Sequence, residues 1–192
     1  MMPMRIDARI IIQECHSVYP PSEDTYLMLD CVEVRPQERV LEMGCGTGII
    51  ALHCAKAGAI VTAADVNPKA VDCARASAKS NGLEMSVVHS DLFLDVEGVF
   101  DLIIFNPPYV PDEIRGDIER SWAGGDDGVR VLDRFLRGAP NHLVKGGRIL
   151  VLLSTAMKDA ALQCILSQFV RDRLAAKRLF FEEIWVERLR LP

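Results

Sequence analysis

Short aliphatic runs alternate with amphipathic stretches along the chain. The middle runs are apolar at consecutive positions, which is typical of strands that helices cover on both faces. This alternation predicts an α/β fold with a mainly parallel sheet. The predicted strands are Arg39–Glu42, Ile60–Ala64, Ser86–His89, Leu102–Phe105, Arg148–Leu153 and two later ones near Ala176–Phe180 and Glu183–Arg190.

Polar residues and glycines mark the ends of the intervening helices. Ser22 is expected to cap the first helix, and Asn67 with Pro68 to begin another that stops at Asn81-Gly82. Such caps satisfy backbone groups that the ends of a helix leave unpaired. Two later helices are predicted over residues 128–138 and 158–169.

Two segments interrupt this alternation. They are the leader, residues 1–21, and the loop 110–127, which is long for a connection between a strand and a helix. Loops of that length are often functional, so both segments are expected to flank one site. We expect one domain over residues 1–192. Phe180, Phe181 and Trp185 are expected in the core of a terminal hairpin.

A glycine-rich turn follows the first predicted strand. Glu42 precedes Gly44, Gly46 and Gly48, and Asp65 closes the next strand. Glycines allow a tight turn close to a ligand, and an acid in this place can accept hydrogen bonds from ribose hydroxyls. A dinucleotide site has Gly-x-Gly-x-x-Gly, whereas this turn has Gly-x-Gly-x-Gly beside a carboxylate, which suits a cationic group and repels a pyrophosphate. The turn therefore favours S-adenosylmethionine over NAD or a purely structural turn.

A further acid follows the third predicted strand. Asp91 can accept a hydrogen bond from an adenine amino group, and Leu92 offers its backbone N–H. Taken alone, Asp91 is more typical of a loop or a helix cap. Its place at the same sheet edge as Glu42 and Asp65 favours a cofactor contact.

The segment Asn106-Pro107-Pro108-Tyr109 directly follows the fourth predicted strand. The Asn106 side-chain oxygen and the Pro107 carbonyl can accept the two N–H groups of a planar NH₂, and Tyr109 can stack on it. Because an amide or exocyclic amine is a poor nucleophile, positioning then carries much of the catalysis. Asn106, Pro107 and Tyr109 are therefore the expected catalytic residues, although each alone also fits an ordinary turn.

Composition narrows the classes of partner and compartment. The net charge of −5 argues against a strong general affinity for nucleic-acid backbone. The six cysteines and four histidines show no ligand spacing, so no metal site is expected. The cysteines are expected as small, mostly buried thiols of a cytoplasmic protein. No apolar run is long enough for a membrane span.

These motifs, in this order, resemble the class I, HemK-type N-methyltransferases. The leader segment Val18–Thr25 and the segment Ser121–Gly125 resemble the archaeal and eukaryotic branch, which methylates class I translation release factors. The resemblance implies a Rossmann-like, seven-stranded sheet, mostly parallel with an antiparallel C-terminal hairpin, and N5-methylation of the glutamine in a Gly-Gly-Gln motif. It implies cofactor contacts from Tyr19, Thr25, Glu42, Gly44, Gly46, Asp65, Val66, Asp91, Leu92 and Asn106, and substrate contacts from Asn106, Pro107, Pro108, Tyr109 and Val110.

The resemblance also implies a partner protein. Members of this branch pair with a small zinc-binding activator, so a heterodimer is expected. In a methyltransferase sheet the third strand lies at an edge, and the segment Met85–His89 is short, β-branched and uncharged. An open edge of this kind is a site for strand addition, although loops of the same chain can also cover it.

Other functions share parts of this pattern. An adenine-N6 methyltransferase uses the same Asn-Pro-Pro-Tyr segment, but a basic cleft for the nucleic acid is then expected. A protein-lysine methyltransferase and a cofactor-binding scaffold without activity are further alternatives. The acidic balance favours a protein substrate.

Overall fold

The computed structural model describes residues 6–108, 129–157 and 159–192, and its centre is a seven-stranded sheet with the order β3-β2-β1-β4-β5-β7-β6. The strands are β1 Arg39–Met43, β2 Ile60–Asp65, β3 Ser86–His89, β4 Phe100–Phe105, β5 Leu143–Ser154, β6 Val170–Arg178 and β7 Glu183–Arg190. The α-helices are α1 Glu23–Cys31, α2 Ile49–Lys56, α3 Pro68–Asn81, α4 Arg130–Gly138 and α5 Asp159–Leu166.

Most neighbouring strands of the sheet run parallel. The pairs β2·β3, β1·β2, β1·β4 and β4·β5 are parallel, whereas β7 lies antiparallel to both β5 and β6. The predicted fold class, a mostly parallel α/β sheet with an antiparallel C-terminal hairpin, is therefore confirmed. The strand order reverses between β1 and β4, and such a reversal opens a crevice at the carboxyl ends of the strands.

Helix α3 begins and ends where the local sequence indicates. The Asn67 side chain accepts a hydrogen bond from the backbone N–H of Lys69 at 3.0 Å, and Pro68 is the first helical residue. At the other end Gly82 has a φ of +61°, a conformation that favours glycine. Each of these signals acts within one helical turn, so the sequence alone places α3 correctly.

The leader runs along α3 and is fastened to it. The backbone N–H groups of Ile11 and Gln13 donate to side chains of α3, at 2.8 and 3.1 Å respectively. A disulfide joins Cys15 to Cys73, with the two Cα atoms 6.1 Å apart. The expectation that all cysteines are free thiols is therefore wrong for this pair, which tertiary packing brings together across 58 residues of sequence.

The C-terminal hairpin differs from its prediction. Strand β6 begins at Val170 and ends at Arg178, upstream of the predicted Ala176–Phe180, because its backbone pairs with β7 along this whole length. Phe180 and Phe181 lie in the turn and are each 94% exposed. Their predicted place in the core is wrong, whereas the half-buried Trp185 packs against the core.

The core lies between the sheet and its helices. Large side chains buried there include Met28, Leu41, Ile103, Phe135 and Leu150. Burial of such side chains supplies most of the favourable free energy of folding. Among the helices of residues 6–108, 129–157 and 159–192, none combines the length and the apolar character that a membrane crossing requires.

Candidate active site

A cavity of about 380 Å³ opens at the carboxyl ends of the parallel strands. The leader, the glycine turn, the end of β2, the loop after β3, the segment after β4 and helix α4 contribute to its wall. Every predicted cofactor residue lines it, together with Pro107 and Pro108: Tyr19, Thr25, Glu42, Gly44, Gly46, Asp65, Val66, Asp91, Leu92 and Asn106. Tyr109, Val110 and the loop 110–127 lie outside the described residues.

The glycine turn requires residues without a side chain. Gly46 has a φ of +53°, and a Cβ there would lie 3.7 Å from the backbone oxygen of Tyr19 in the leader. Gly48 has a φ of +81°, and its Cβ would lie only 3.0 Å from the Cβ of Ala74 on α3. The positive φ thus favours glycine at both positions, and Gly48 also permits the close packing of α3.

Glu42 is buried beneath this turn. One of its carboxyl oxygens accepts a hydrogen bond from the backbone N–H of Ala51, in the first turn of α2, at 2.8 Å. Burial, with a smaller contribution from the negative charge of Asp65, raises the pKa of Glu42 to about 8. Glu42 therefore holds the start of α2 and is also one of the residues that line the cavity.

Asp65 joins β2 to the glycine turn. Its carboxylate accepts hydrogen bonds from the backbone N–H groups of Gly46 at 2.9 Å and Asn67 at 2.8 Å. Burial is the largest influence on this group and raises its pKa above the ordinary value. The neighbouring Val66 is half exposed and also lines the cavity.

Asp91 and Leu92 form the wall beyond β3. The guanidinium of Arg134 on α4 donates to the Asp91 carboxylate at 2.8 Å, and Leu92 has a φ of +52°. The Ser90 hydroxyl donates to the backbone oxygen of Leu92 at 2.7 Å and fixes this conformation. Arg134 and Val131 were not predicted as site residues, because only the packing of α4 brings them to the cavity.

Asn106 lies where β4 ends. Its side-chain nitrogen donates to a carboxylate oxygen of Asp24 at 3.0 Å. Its side-chain oxygen is buried and has no hydrogen-bond partner among the described residues. A buried amide oxygen without a partner is unfavourable, so this atom is an available acceptor for a ligand N–H.

Helix α1 contributes further buried polar groups beside the leader. The Thr25 hydroxyl donates to Asp24 at 3.2 Å and accepts a hydrogen bond from the backbone N–H of Ser22 at 3.3 Å. The exposed side chain of Tyr19 completes this wall. Asp24 also lines the cavity but was not predicted as a site residue, because only tertiary packing brings it to Asn106.

Comparison with known proteins places this geometry in a family. The model of the methyltransferase small domain matches residues 21–178. A putative protein N5-glutamine methyltransferase of Methanocaldococcus jannaschii is 41% identical over 177 residues, which cover 88% of this chain and 89% of the relative. The methyltransferase HEMK2 of Mus musculus is 38% identical over 147 residues, which cover 68% of each chain.

A solved structure gives the same result. The chain is similar to a chain of the E. cuniculi Mtq2–Trm112 complex, which is described as methylating the translation termination factor eRF1. The TM-score is 0.72 at 26% identity, and the match covers 92% of this chain and 99% of the other. This protein therefore belongs to the methyltransferase small domain family and, within it, to the protein N5-glutamine methyltransferases of the HemK type.

Proposed function

We propose that this enzyme transfers a methyl group from S-adenosylmethionine to the side-chain amide nitrogen of glutamine in the Gly-Gly-Gln motif of a class I translation release factor. The observation that carries the proposal is the buried side-chain oxygen of Asn106, a residue that lines the cavity, since this oxygen has no hydrogen-bond partner among the described residues. The M. jannaschii relative, named for N5-glutamine methylation, and the eRF1-methylating complex support the same substrate class.

The residues around the cavity fit S-adenosylmethionine. Glu42 offers a carboxyl oxygen for the cationic amino-acid end, and Asp65 offers two for the ribose hydroxyls. Asp91 and the backbone N–H of Leu92 suit the adenine edge. Gly46 also lines the cavity, so the glycine turn brings its backbone close to the bound ligand. When bound, the cofactor supplies a methyl group on a positively charged sulfur.

The chain itself positions the acceptor nitrogen. The Asn106 oxygen and the backbone oxygen of Pro107 are the proposed acceptors for the two N–H groups of the glutamine amide. Holding both fixes the plane of the amide, so that the nitrogen presents its out-of-plane orbital to the methyl group. Tyr109 is proposed to stack on the amide, and Val110 to contact the substrate. Once the nitrogen carries the methyl group it releases one of its two protons to water, so no general base is required before the transfer.

We further propose that the enzyme acts in the cytoplasm as a heterodimer with a small zinc-binding activator. The Trm112 chain of the similar complex supports a partner of this kind. The proposed docking element is the edge strand β3, within Met85–His89. The Arg75 guanidinium donates to the backbone oxygen of Val87 at 2.7 Å, so an added strand meets an edge on which one acceptor is already engaged.

The side chains of β3 decide which substitutions test this docking. Val87 is buried, so a charge there disrupts the core as well as the edge. His89 is exposed, and its backbone N–H faces the open edge, because the N–H of the next residue, Ser90, faces β2 and donates to the backbone oxygen of Asp65 at 2.9 Å. His89→Pro removes this edge donor without entering the core, and it is therefore expected to abolish co-purification with the activator while the protein remains folded. Full co-purification would contradict docking on β3.

The decisive experiment compares candidate acceptors. Labelled S-adenosylmethionine is incubated with the enzyme, with and without the activator, and with a release factor, its Gln→Ala motif variant, duplex DNA or a histone tail. We expect transfer to the release factor alone, dependent on the motif glutamine and lost in Asn106→Ala. Transfer to DNA or to the histone tail, but not to the release factor, overturns the proposal.

A further inference from the structure

Asp24 and Asn106 meet although 82 positions separate them in the sequence. Asp24 belongs to the first turn of α1 and is buried. One of its carboxylate oxygens accepts hydrogen bonds from the backbone N–H of Thr25 at 2.7 Å and from the Thr25 hydroxyl at 3.2 Å. The other accepts from the side-chain nitrogen of Asn106 at 3.0 Å. Both oxygens are therefore engaged in a fixed orientation.

This contact selects one of the two orientations of the Asn106 amide. A carboxylate only accepts hydrogen bonds, whereas an amide has one donating and one accepting side. If the amide turned over, its oxygen would face the Asp24 carboxylate and its NH₂ group would point away from it. In the observed orientation the NH₂ group satisfies Asp24, and the oxygen remains for the cavity that Asn106 lines.

We propose that Asp24 is a positioning residue that keeps the Asn106 oxygen directed at the acceptor nitrogen of the substrate. The inference rests on the proposed function, because only an N–H donor benefits from this orientation. The charged hydrogen bond also polarises the Asn106 amide and strengthens its oxygen as an acceptor. Helix α1 thus orients a catalytic group that the segment after β4 supplies.

A structural role for Asp24 makes a different prediction. If Asp24 only fastens α1 to the end of β4, the isosteric variant Asp24→Asn keeps more of the packing than Asp24→Ala. Activity and melting temperature then fall together, and Asp24→Ala is the worse variant. A positioning role reverses this order for activity.

Hydrogen-bond geometry explains why Asp24→Asn is expected to be less active than Asp24→Ala. In Asp24→Asn the new amide uses its oxygen for the Thr25 N–H and turns its NH₂ toward Asn106. Asn106 must then turn over and present NH₂ to the cavity, so kcat is expected to fall by on the order of 100-fold. In Asp24→Ala the Asn106 amide is free to take either orientation, and a loss of about tenfold or less is expected.

The double variant Asp24→Asn, Asn106→Asp restores the pair with donor and acceptor exchanged. The NH₂ of residue 24 then meets one oxygen of residue 106, and the other oxygen is again an acceptor at the cavity. We expect kcat to recover at least tenfold over Asp24→Asn. Asp30→Asn, which removes a charge from an exposed position of α1, is the matched control.

Three measurements separate the outcomes. They are kcat with the release factor, the affinity for S-adenosylhomocysteine and the melting temperature. We expect the affinity to change less than about threefold in the single variants Asp24→Asn, Asp24→Ala and Asp30→Asn. Asp24→Ala as the least active single variant, or no recovery in the double variant, overturns the inference.

A fourth measurement does not depend on the substrate. The Asn106 side-chain NH₂ signals in a ¹⁵N NMR spectrum are expected to show a protected, downfield proton that is lost in Asp24→Ala and kept in Asp30→Asn. If the wild-type enzyme fails to methylate the release factor, the proposed function fails. The NMR signals then test the hydrogen bond between Asp24 and Asn106 independently of methyl transfer. If the signals are the same in the wild type and in Asp24→Ala, the hydrogen bond is contradicted.

Discussion

The Asp65 carboxylate binds the backbone N–H of Gly46 at 2.9 Å and thereby ties the glycine turn to the neighbouring strand β2. In Asp65→Asn the side-chain amide has only one accepting oxygen. The backbone N–H of either Gly46 or Asn67 therefore loses its acceptor. We expect a loss of about 1–3 kcal/mol in the free energy of unfolding and at least about tenfold weaker binding of S-adenosylhomocysteine. Urea unfolding and calorimetry measure these two effects. Asp91→Asn, which weakens the half-exposed ion pair with Arg134, is the control for stability alone, and its free energy of unfolding is expected to change little.

The raised pKa of Glu42 predicts a pH-dependent stability. Burial moves this pKa from 4.5 to about 8, so between these values the folded protein holds a proton that the unfolded chain releases. The contribution of Glu42 to the free energy of unfolding therefore falls as the pH rises through this window. Glu42→Gln has no such contribution. Its melting temperature relative to the wild type is expected to rise by about 3–8 °C between pH 5 and pH 8.5. A difference that is constant with pH contradicts the prediction.

The raised pKa of Glu42 also predicts that the protein releases a proton when it binds the cofactor. A cationic ligand beside Glu42 favours the carboxylate form, so a proton leaves the protein when the ligand binds at pH 7. Calorimetric titration with S-adenosylmethionine in buffers of different ionisation enthalpy measures the number of protons released. The wild type is expected to release more than Glu42→Gln. Equal release by both proteins would place the cation elsewhere.

Substitution of two glycines with similar backbone angles distinguishes the cost of backbone strain from the cost of a steric contact. Gly48 and Gly82 both have a positive φ, but a Cβ at Gly48 meets Ala74 at 3.0 Å, whereas a Cβ at Gly82 meets no described atom within 4 Å. Gly82→Ala is expected to cost about 1–2 kcal/mol from backbone strain. Gly48→Ala adds the contact with Ala74 and is expected to cost about 1–3 kcal/mol more. Chemical denaturation of both variants checks this order, and equal losses would contradict the packing argument.

The disulfide between Cys15 and Cys73 predicts a redox-dependent stability. It closes a loop with a sequence separation of 58 residues, and its removal is expected to cost up to about 4 kcal/mol of stability. Because Tyr19 in the leader lines the cavity, affinity for S-adenosylhomocysteine is expected to fall as well. Thermal unfolding and calorimetry with and without a reductant measure both changes. The exposed Cys164 provides the control variant Cys164→Ser, which is expected to respond to reductant as the wild type does.

Local signals in the sequence predicted much of the fold and most of the cavity wall. Asn67, Pro68 and Gly82 act on their own turns of chain, and consecutive apolar positions mark the buried parallel strands. Strand β6 was misplaced because pairing with β7, and not an apolar run of its own, determines its extent. Phe180 and Phe181 were misplaced because hydrophobicity alone does not show whether a hairpin turn is covered.

The missed parts of the site share a physical cause. The disulfide between Cys15 and Cys73, the ion pair of Arg134 with Asp91 and the bond of Asp24 with Asn106 all join segments that are distant in the sequence. Spacing along one segment carries no information about such contacts. The glycine turn and the segment after β4 were predicted as parts of the cavity wall because each motif consists of neighbouring residues in the sequence.

The side chain of Arg75 affects how readily another strand can add to the edge of the sheet at β3. A strand that adds to β3 must compete with the guanidinium for the backbone oxygen of Val87, so a brief or poorly aligned encounter gains little. Open edges are where copies of a protein begin to aggregate, and a charged side chain at the edge disfavours that growth. The contact of Arg75 with Val87 therefore makes strand addition to β3, by a second copy of the chain or by the proposed activator, depend on a well-matched strand.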